Sequence, residues 1–339
     1  MGAGRSRIDW IDYAKGICIV LVVMLYAVEW IDGVTGGRDS WLHRVVEFAQ
    51  PFRMPDFFLV SGLLPARTIG RDWAAYLDRK VLHFAYFYVL WLTIAFVLLG
   101  PWMAAKGGWD ATGALYLRSF VRPYSWLWFI YMLPVFFVVT KLAVRLPAAL
   151  VWTAAAALHV AALDTNFKVF DKFAQYYVFF YSGYAFAPLA FRLAAWAAAR
   201  PRTSLLALAA WAAFEAYVVF GGYSSLPLVS LGISFIGIAA VIGASALMPA
   251  SRLFDPLRYC GANSIVIYLA FFIPGMAARI ALTRLNLVDD PGTMALLVTF
   301  AGVVGALLMY WTVRDTRLRF LFSRPAWFAW PARRAAATA

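Results

Sequence analysis

The sequence predicts an all-α fold, a polytopic integral membrane helical bundle of about ten transmembrane helices, and three observations predict it. Of the 339 residues, 64% are hydrophobic and 18% aromatic while only 14% are charged, too little polar surface to cover a water-soluble domain of this size. Several apolar runs approach or exceed the roughly 18 residues that cross a bilayer. The Lys and Arg residues between those runs alternate in abundance, 20 on one side and 9 on the other with Arg53 inside a run, and basic residues favour the cytoplasmic face. Both termini are therefore expected in the cytoplasm. The net charge of +13 reads as topology and contact with anionic membrane lipid, with no nucleic acid required as a partner.

Ten spans follow in order. Tyr13–Ile31 is entered through charges and lacks a small-residue cleavage site, so it reads as a span and not a removed leader. Val45–Leu64 contains two prolines and a mid-span arginine. Val81–Leu99 is entered through the basic pair Arg79 and Lys80, and Ser125–Val144 opens on the aromatic run SWLWFIY. Pro147–Leu163 and Ser204–Phe220 follow by apolar length, and the alanine-rich runs Ala154–Ala157 and Ala194–Ala199 permit close helix packing and imply no chemistry. Phe173–Phe191, Leu226–Met248, Ser264–Leu282 and Met294–Val313 complete the set by apolar length alone. Residues 1–320 are read as the transmembrane domain and 321–339 as a basic cytoplasmic tail, with Arg314 to Arg334 an inner-leaflet anchor carrying Trp327 and Trp330 at headgroup depth. In the loop from Trp102 to Tyr124, the amphipathic piece Gly113 to Phe120 is expected to lie on the outer surface as a lid. Cys18 and Cys260 lie in or beside apolar runs without metal-ligand spacing, and no metal site or Gly-rich phosphate loop is predicted.

The stretch Arg7 to Ile31 organises the chain. From Lys15 to Tyr26 is eleven residues, which brings the two side chains within roughly 20° on a helix and about 16 Å apart along it. Asp12 and Glu29 extend the same face at either end, with Ile19 and Val22 between them. Ionisable groups facing hydrocarbon are costly, so this stripe is expected to face protein or a water-filled cleft. The alternative is that Lys15 snorkels to one membrane surface while Tyr26 and Glu29 sit near the other.

The second span, PFRMPDFFLVSGLL, holds Pro51, Arg53, Pro55, Asp56, Ser61 and Gly62. Two prolines four residues apart remove two backbone donors, which predicts a broken or kinked helix. Arg53 falls near mid-membrane, where its insertion costs roughly 2.5–3.5 kcal/mol unless a partner or water compensates. Two readings stand: a structural pair with Asp56, or a guanidinium aimed, with the freed backbone groups, at an anion or developing oxyanion in a cavity.

DWIDYAKGICIVLVVM, FRMPDFFLVSGLL, SWLWFIYMLPVFFVV and YCGANSIVIYLAFF, in that order, resemble the signatures of the membrane-bound acyltransferase family 3, nearest to its fucose-acetylase-like branch. The likeness covers essentially the whole chain. It implies a multi-pass enzyme of the bacterial inner membrane, both termini cytoplasmic, moving an acyl group, most often acetyl, from acyl-CoA to a hydroxyl of an envelope or exported glycan. Acyl-CoA is then a co-substrate, and no bound cofactor is implied. The family's basic residue in the first span falls on Lys15, its arginine or histidine before Met-Pro on Arg53, and its Ser-Gly on Ser61 and Gly62. Where the family carries a histidine eleven residues after the basic residue, this chain has Tyr26, and its late Tyr-Leu-x-His pattern reads Tyr268, Leu269, Ala270, Phe271. A phenol near pKa 10 is a poor base beside an imidazole near 6.5, and two rescues stand open: Arg53 favouring the Tyr26 phenolate, or Glu29, one turn on, taking the proton with Tyr26 as relay or hydrogen-bond donor.

The expected reacting centre is therefore Tyr26, Arg53 and Glu29, with Lys15, Asp12, Ser61, Trp128 and Tyr131 binding substrate, the last two by stacking on sugar rings. Arg79, Lys80 and His83, with Arg67 and Arg71, are expected to attract the phosphates of the donor, although topology alone also predicts a basic loop there. His159 reads as a packed core residue and His43 as a solvated one. Two other classes remain open: a polytopic transporter of a glycan or lipid-linked substrate, which also uses broken helices and intramembrane charge, and a degenerate relative that binds without reacting.

Overall fold

A computed structural model of the protein describes residues 9–36, 40–63, 69–70, 72–249 and 251–328, and no strand occurs among them. They fall into two compact units, one of Met1–Leu63 with Ser182–Met309 and the other of Leu64–Tyr181 with Tyr310–Ala339. Six helical stretches are long and apolar enough to cross a membrane, or eight spans if each of two bent helix pairs counts as one. The protein is thus an all-helical polytopic membrane protein. The two remaining sequence-read spans are short in the structure: residues 45–64 are divided between two helices, and residues 147–163 form a helix of only 13 residues, below the ~20 residues that cross hydrocarbon.

In the first unit, α1 (Asp9–Thr35) is the central element, with Ala14, Cys18, Ile19, Ala27 and Ile31 fully enclosed. It packs against α2 (Trp41–Phe48), α3 (Gln50–Gly62), α11 (Pro227–Leu247) and α12 (Asp255–Ala262). The α1–α12 crossing is set by two glycines. A Cβ on Gly16 would strike the Leu257 backbone, and one on Gly261 would strike the Asp12 carbonyl, so the two backbones touch as small residues in membrane helices allow. Farther along α1, Ala27, Val28 and Ile31 share a core with Leu42, Val46, Met294, Ala295 and Val298, bringing in α2 and α15 (Pro291–Val313). Along α10 (Pro201–Phe220), Leu205, Leu206, Phe214, Tyr217 and Phe220 are exposed, the apolar surface that hydrocarbon would cover.

The expected break in the second span is present, at Ala49, ahead of the prolines. Pro51 occupies the first turn of α3, where its missing N–H costs nothing, and Pro55 lies inside the helix. Pro55 removes the bond that would reach the Pro51 carbonyl, and Ser234 of α11 fills the vacancy, its Oγ donating to that carbonyl at 2.6 Å. That freed acceptor is therefore used in packing, contrary to the expectation that it faces a cavity. Ser234→Ala is expected to lower stability by about 1–3 kcal/mol, the cost of a buried unsatisfied carbonyl, measured by melting in detergent. An unchanged melt would show that the carbonyl finds another donor.

The second unit contains α4 (Trp73–Leu77), a π-helical turn (Asp78–Leu82), α5 (His83–Arg118), α6 (Trp128–Leu142), α7 (Ala148–Val160) and α8 (Lys168–Ala185) as far as Tyr181. The outer loop expected from Trp102 is helical as far as Arg118, the helix being interrupted at Gly108, whose φ of 84° suits a residue without a side chain. The chain's last described segment docks here. Arg324 places Nη2 2.7 Å from the Asp78 carboxylate and Nη1 2.8 Å from the Asp78 carbonyl, while Tyr86 and Trp91 donate to the carbonyls of Phe320 and Leu321. Arg324, within the stretch read as a basic tail, is thus packed into the second unit. Both charged side chains are buried, 7% and 1% exposed, so Arg324→Ala removes a buried charge-assisted bond and is expected to cost about 1.5–3 kcal/mol, with Asp78→Asn/Arg324→Gln recovering part of the loss. A melting temperature unchanged in Arg324→Ala would contradict this. Trp327 is exposed, whereas Trp330 and Arg334 lie outside the described residues.

Candidate active site

The break that separates α2 from α3 also turns Arg53 inward. It is 5% exposed, and its Nη1 donates to the Val46 carbonyl at the long distance of 3.4 Å. One turn further along α3, Asp56 is wholly buried and accepts a hydrogen bond at 2.9 Å from the thiol of Cys18 on α1. Glu29 is exposed and lies within electrostatic reach of Arg53 and Asp32. Asp32 itself meets the His43 ring at 2.9 Å, so His43 is partnered and half-buried in α2. Tyr26, Glu29 and Arg53 are therefore brought to one region of the first unit.

The second surprise of the sequence lies in the same place. Between α13 (Ser264–Ala270) and α14 (Phe272–Leu285), which are bent by 51°, stands Phe271, and its ring centre is 5.5 Å from that of Tyr26. Trp30 stacks on Phe271 at 5.8 Å and 14° and lies 6.3 Å from Tyr26. The two positions at which the family resemblance expects histidines face each other, and both are aromatic.

The other expected site residues are spread out. Asp12 is buried and Lys15 half-buried near the opposite end of α1, about 16 Å along the axis from Tyr26. Ser61 spends its hydroxyl on the Phe57 carbonyl of its own helix, at 2.8 Å. Trp128 and Tyr131 belong to the second unit, where Trp128 lies against Tyr176 with the Lys172 ammonium 5.0 Å from its ring, and Tyr131 donates to the Phe120 carbonyl. Arg79 is exposed on the π-helical turn, Lys80 rests 4.5 Å from the Phe137 ring centre, and His83 contacts Phe84 and Phe87. Arg67 and Arg71 lie outside the described residues. His159 is a core residue whose Nδ1 is 2.7 Å from the Gln175 carbonyl. No three His, Cys, Asp or Glu side chains among the described residues are placed to hold a metal ion.

Four residues escaped the sequence reading. Cys18 follows Lys15 by three positions on the same face, and Trp30 follows Tyr26 by four, so both were within reach of helical spacing. Lys141 comes from α6 to sit over Tyr76 and Trp73 and donates to the Ile69 carbonyl at 2.8 Å, which only the fold could bring about. Glu215, wholly buried in α10 one turn from Trp211, accepts no hydrogen bond among the described residues; a carboxyl in so apolar a helix was itself the available signal.

Six to eight helices of membrane-crossing length, with a buried arginine and buried acids packed beside α1 in the first unit, define a membrane-embedded protein with polar groups inside its helical packing. A family model described as an acyltransferase domain matches residues 8–314, and the chain belongs to that family, acyltransferase family 3. It is 31% identical over 161 residues to the inner membrane protein YcfT of Escherichia coli strain K12, a match covering 40% of this chain and 44% of the relative, less than half the length of each. No solved structure matches.

Proposed function

We propose that the protein is a multi-pass enzyme of the bacterial inner membrane, both termini cytoplasmic, that moves an acyl group, acetyl in the first instance, from acyl-CoA to a hydroxyl of an envelope or exported glycan. Family membership supports acyl transfer, and the named relative supports the membrane. The observation that carries the site is the gathering of buried Arg53, exposed Glu29 and Tyr26 around the C-terminal half of α1. In the reaction the acceptor oxygen bonds to the thioester carbonyl carbon, the C–S bond breaks and the CoA thiolate leaves. Glu29 takes the hydroxyl proton, directly or through Tyr26, and Arg53 faces the negative charge that develops on the carbonyl oxygen. The likeness to the fucose-acetylase-like branch favours a sugar hydroxyl as acceptor.

A second reading has its own observation. With aromatic rings at Tyr26 and Phe271, neither of the two facing positions carries an imidazole base, which favours a homologue that binds substrate and reacts slowly or not at all. Membranes carrying the overexpressed chain, given labelled acetyl-CoA, decide between them: label in the glycan fraction above that of control membranes is expected. Membranes that bind acyl-CoA but pass no label on would establish the non-reacting homologue.

A further inference from the structure

The aromatic group beside Glu29 has two layers. Phe271 is fully enclosed, and Trp30 lies flat against it at 14°, so one face of the indole is backed by the protein core. Gly275, one turn beyond Phe271, secures the other edge: a Cβ there would come within 2.9 Å of Trp30 Cζ3, so the ring settles only because that side chain is missing. Tyr26 and Trp30 form the outer layer and are both half-exposed. The rim is polar, with the exposed Glu29 carboxylate between them in sequence and Arg53 within its electrostatic reach. Trp128, the tryptophan singled out by sequence, is already engaged by Tyr176 and the Lys172 ammonium.

A flat apolar ring held against the core, with an exposed carboxylate next to it in the chain, matches one chemical class well. A pyranose ring offers an apolar face of C–H groups for stacking and hydroxyls at its perimeter for charged hydrogen-bonding partners. A tryptophan that only met lipid would need neither an acid beside it nor a fixed orientation. We infer that Trp30 and Tyr26 form the platform on which one pyranose ring of the acceptor lies, with Glu29 beside it receiving one of its hydroxyls. This rests on the acyl-transfer reading and assigns its acceptor subsite to the first unit. Trp30 is then a specificity residue, and the ring it holds presents a hydroxyl to the proposed proton acceptor.

The test uses the full chain in two assays. In membranes given labelled acetyl-CoA and hexasaccharides of glucose, galactose and mannose, Trp30→Ala is expected to raise the acceptor KM by about tenfold and leave the acetyl-CoA KM unchanged, whereas Trp30→Phe, which keeps a ring, stays within about threefold. In detergent, equilibrium binding of the same hexasaccharides is expected to weaken in parallel. If the wild type labels glycan and Trp30→Ala leaves the acceptor KM unchanged, the platform is wrong and the acyl-transfer reading stands. If the wild type transfers nothing yet binds a hexasaccharide in a Trp30-dependent way, the platform stands and the enzyme reading falls. Absence of both transfer and binding overturns both. Equal loss of melting temperature and of both KM values in the two variants would reduce Trp30 to packing and overturn the inference.

Discussion

Arg53→Ala is expected to lower acyl transfer by about 10²–10³, the usual cost of removing a donor aimed at a developing oxyanion, while membrane insertion and melting in detergent stay near wild type. The separation of the two effects follows from the geometry. Asp56, the acid one turn away, has its own donor in the Cys18 thiol, and the Arg53 bond to the Val46 carbonyl is long, so neither of these two contacts depends strongly on the guanidinium. Arg53→Lys keeps the charge and loses the planar fork, and an intermediate rate is expected. Initial rates with labelled acetyl-CoA at matched protein levels give the measurement. Equal loss of expression and activity would instead identify Arg53 as the structural counter-ion of Asp56.

The second large effect is a gain. Tyr26→His together with Phe271→His would place two imidazoles where two rings now lie 5.5 Å apart, and the rate is expected to rise by about 10²–10⁴, the range a positioned general base contributes. Tyr26→His alone is expected to give most of it, because Tyr26 is half-exposed whereas Phe271 is enclosed. Conversely, Tyr26→Phe and Glu29→Gln are expected to lower whatever the wild type achieves. A brisk wild-type rate unaffected by Tyr26→Phe would show that this position carries no chemistry, and an inert Tyr26→His protein would count for a binding or transport role.

Much of this was legible along the chain wherever the physics is local. The stripe from Asp12 to Glu29 follows from helical spacing, and the enclosure of Asp12, Ile19 and Val22 agrees with an inward-facing face on that half of the helix. The break in the second span follows from its prolines, although Ala49, four residues before the arginine, is where the chain turns. The number of membrane-length helices was less legible, since an apolar run does not disclose whether it is one helix or two short ones. Contacts between distant segments were not legible at all. Neither the Cys18–Asp56 bond nor the stacking of Trp30 on Phe271 follows from any spacing within one helix, because each depends on which helices become neighbours.

The Asp78–Arg324 clasp has a consequence for how the protein is made. Its partners are 246 residues apart, which at about 5–20 residues per second separates their synthesis by roughly 12–50 s. Throughout that interval the acid that the finished second unit buries lacks the Arg324 guanidinium, and α5 lacks the segment whose carbonyls Tyr86 and Trp91 will bind. The first unit likewise waits for α11 to α15, although the Cys18–Asp56 bond joins two of its early helices, α1 and α3. The second unit therefore closes last, and a nascent chain halted before Arg324 presents a half-built acid-bearing surface of the kind that membrane quality-control proteases and insertion chaperones are able to distinguish from a finished one.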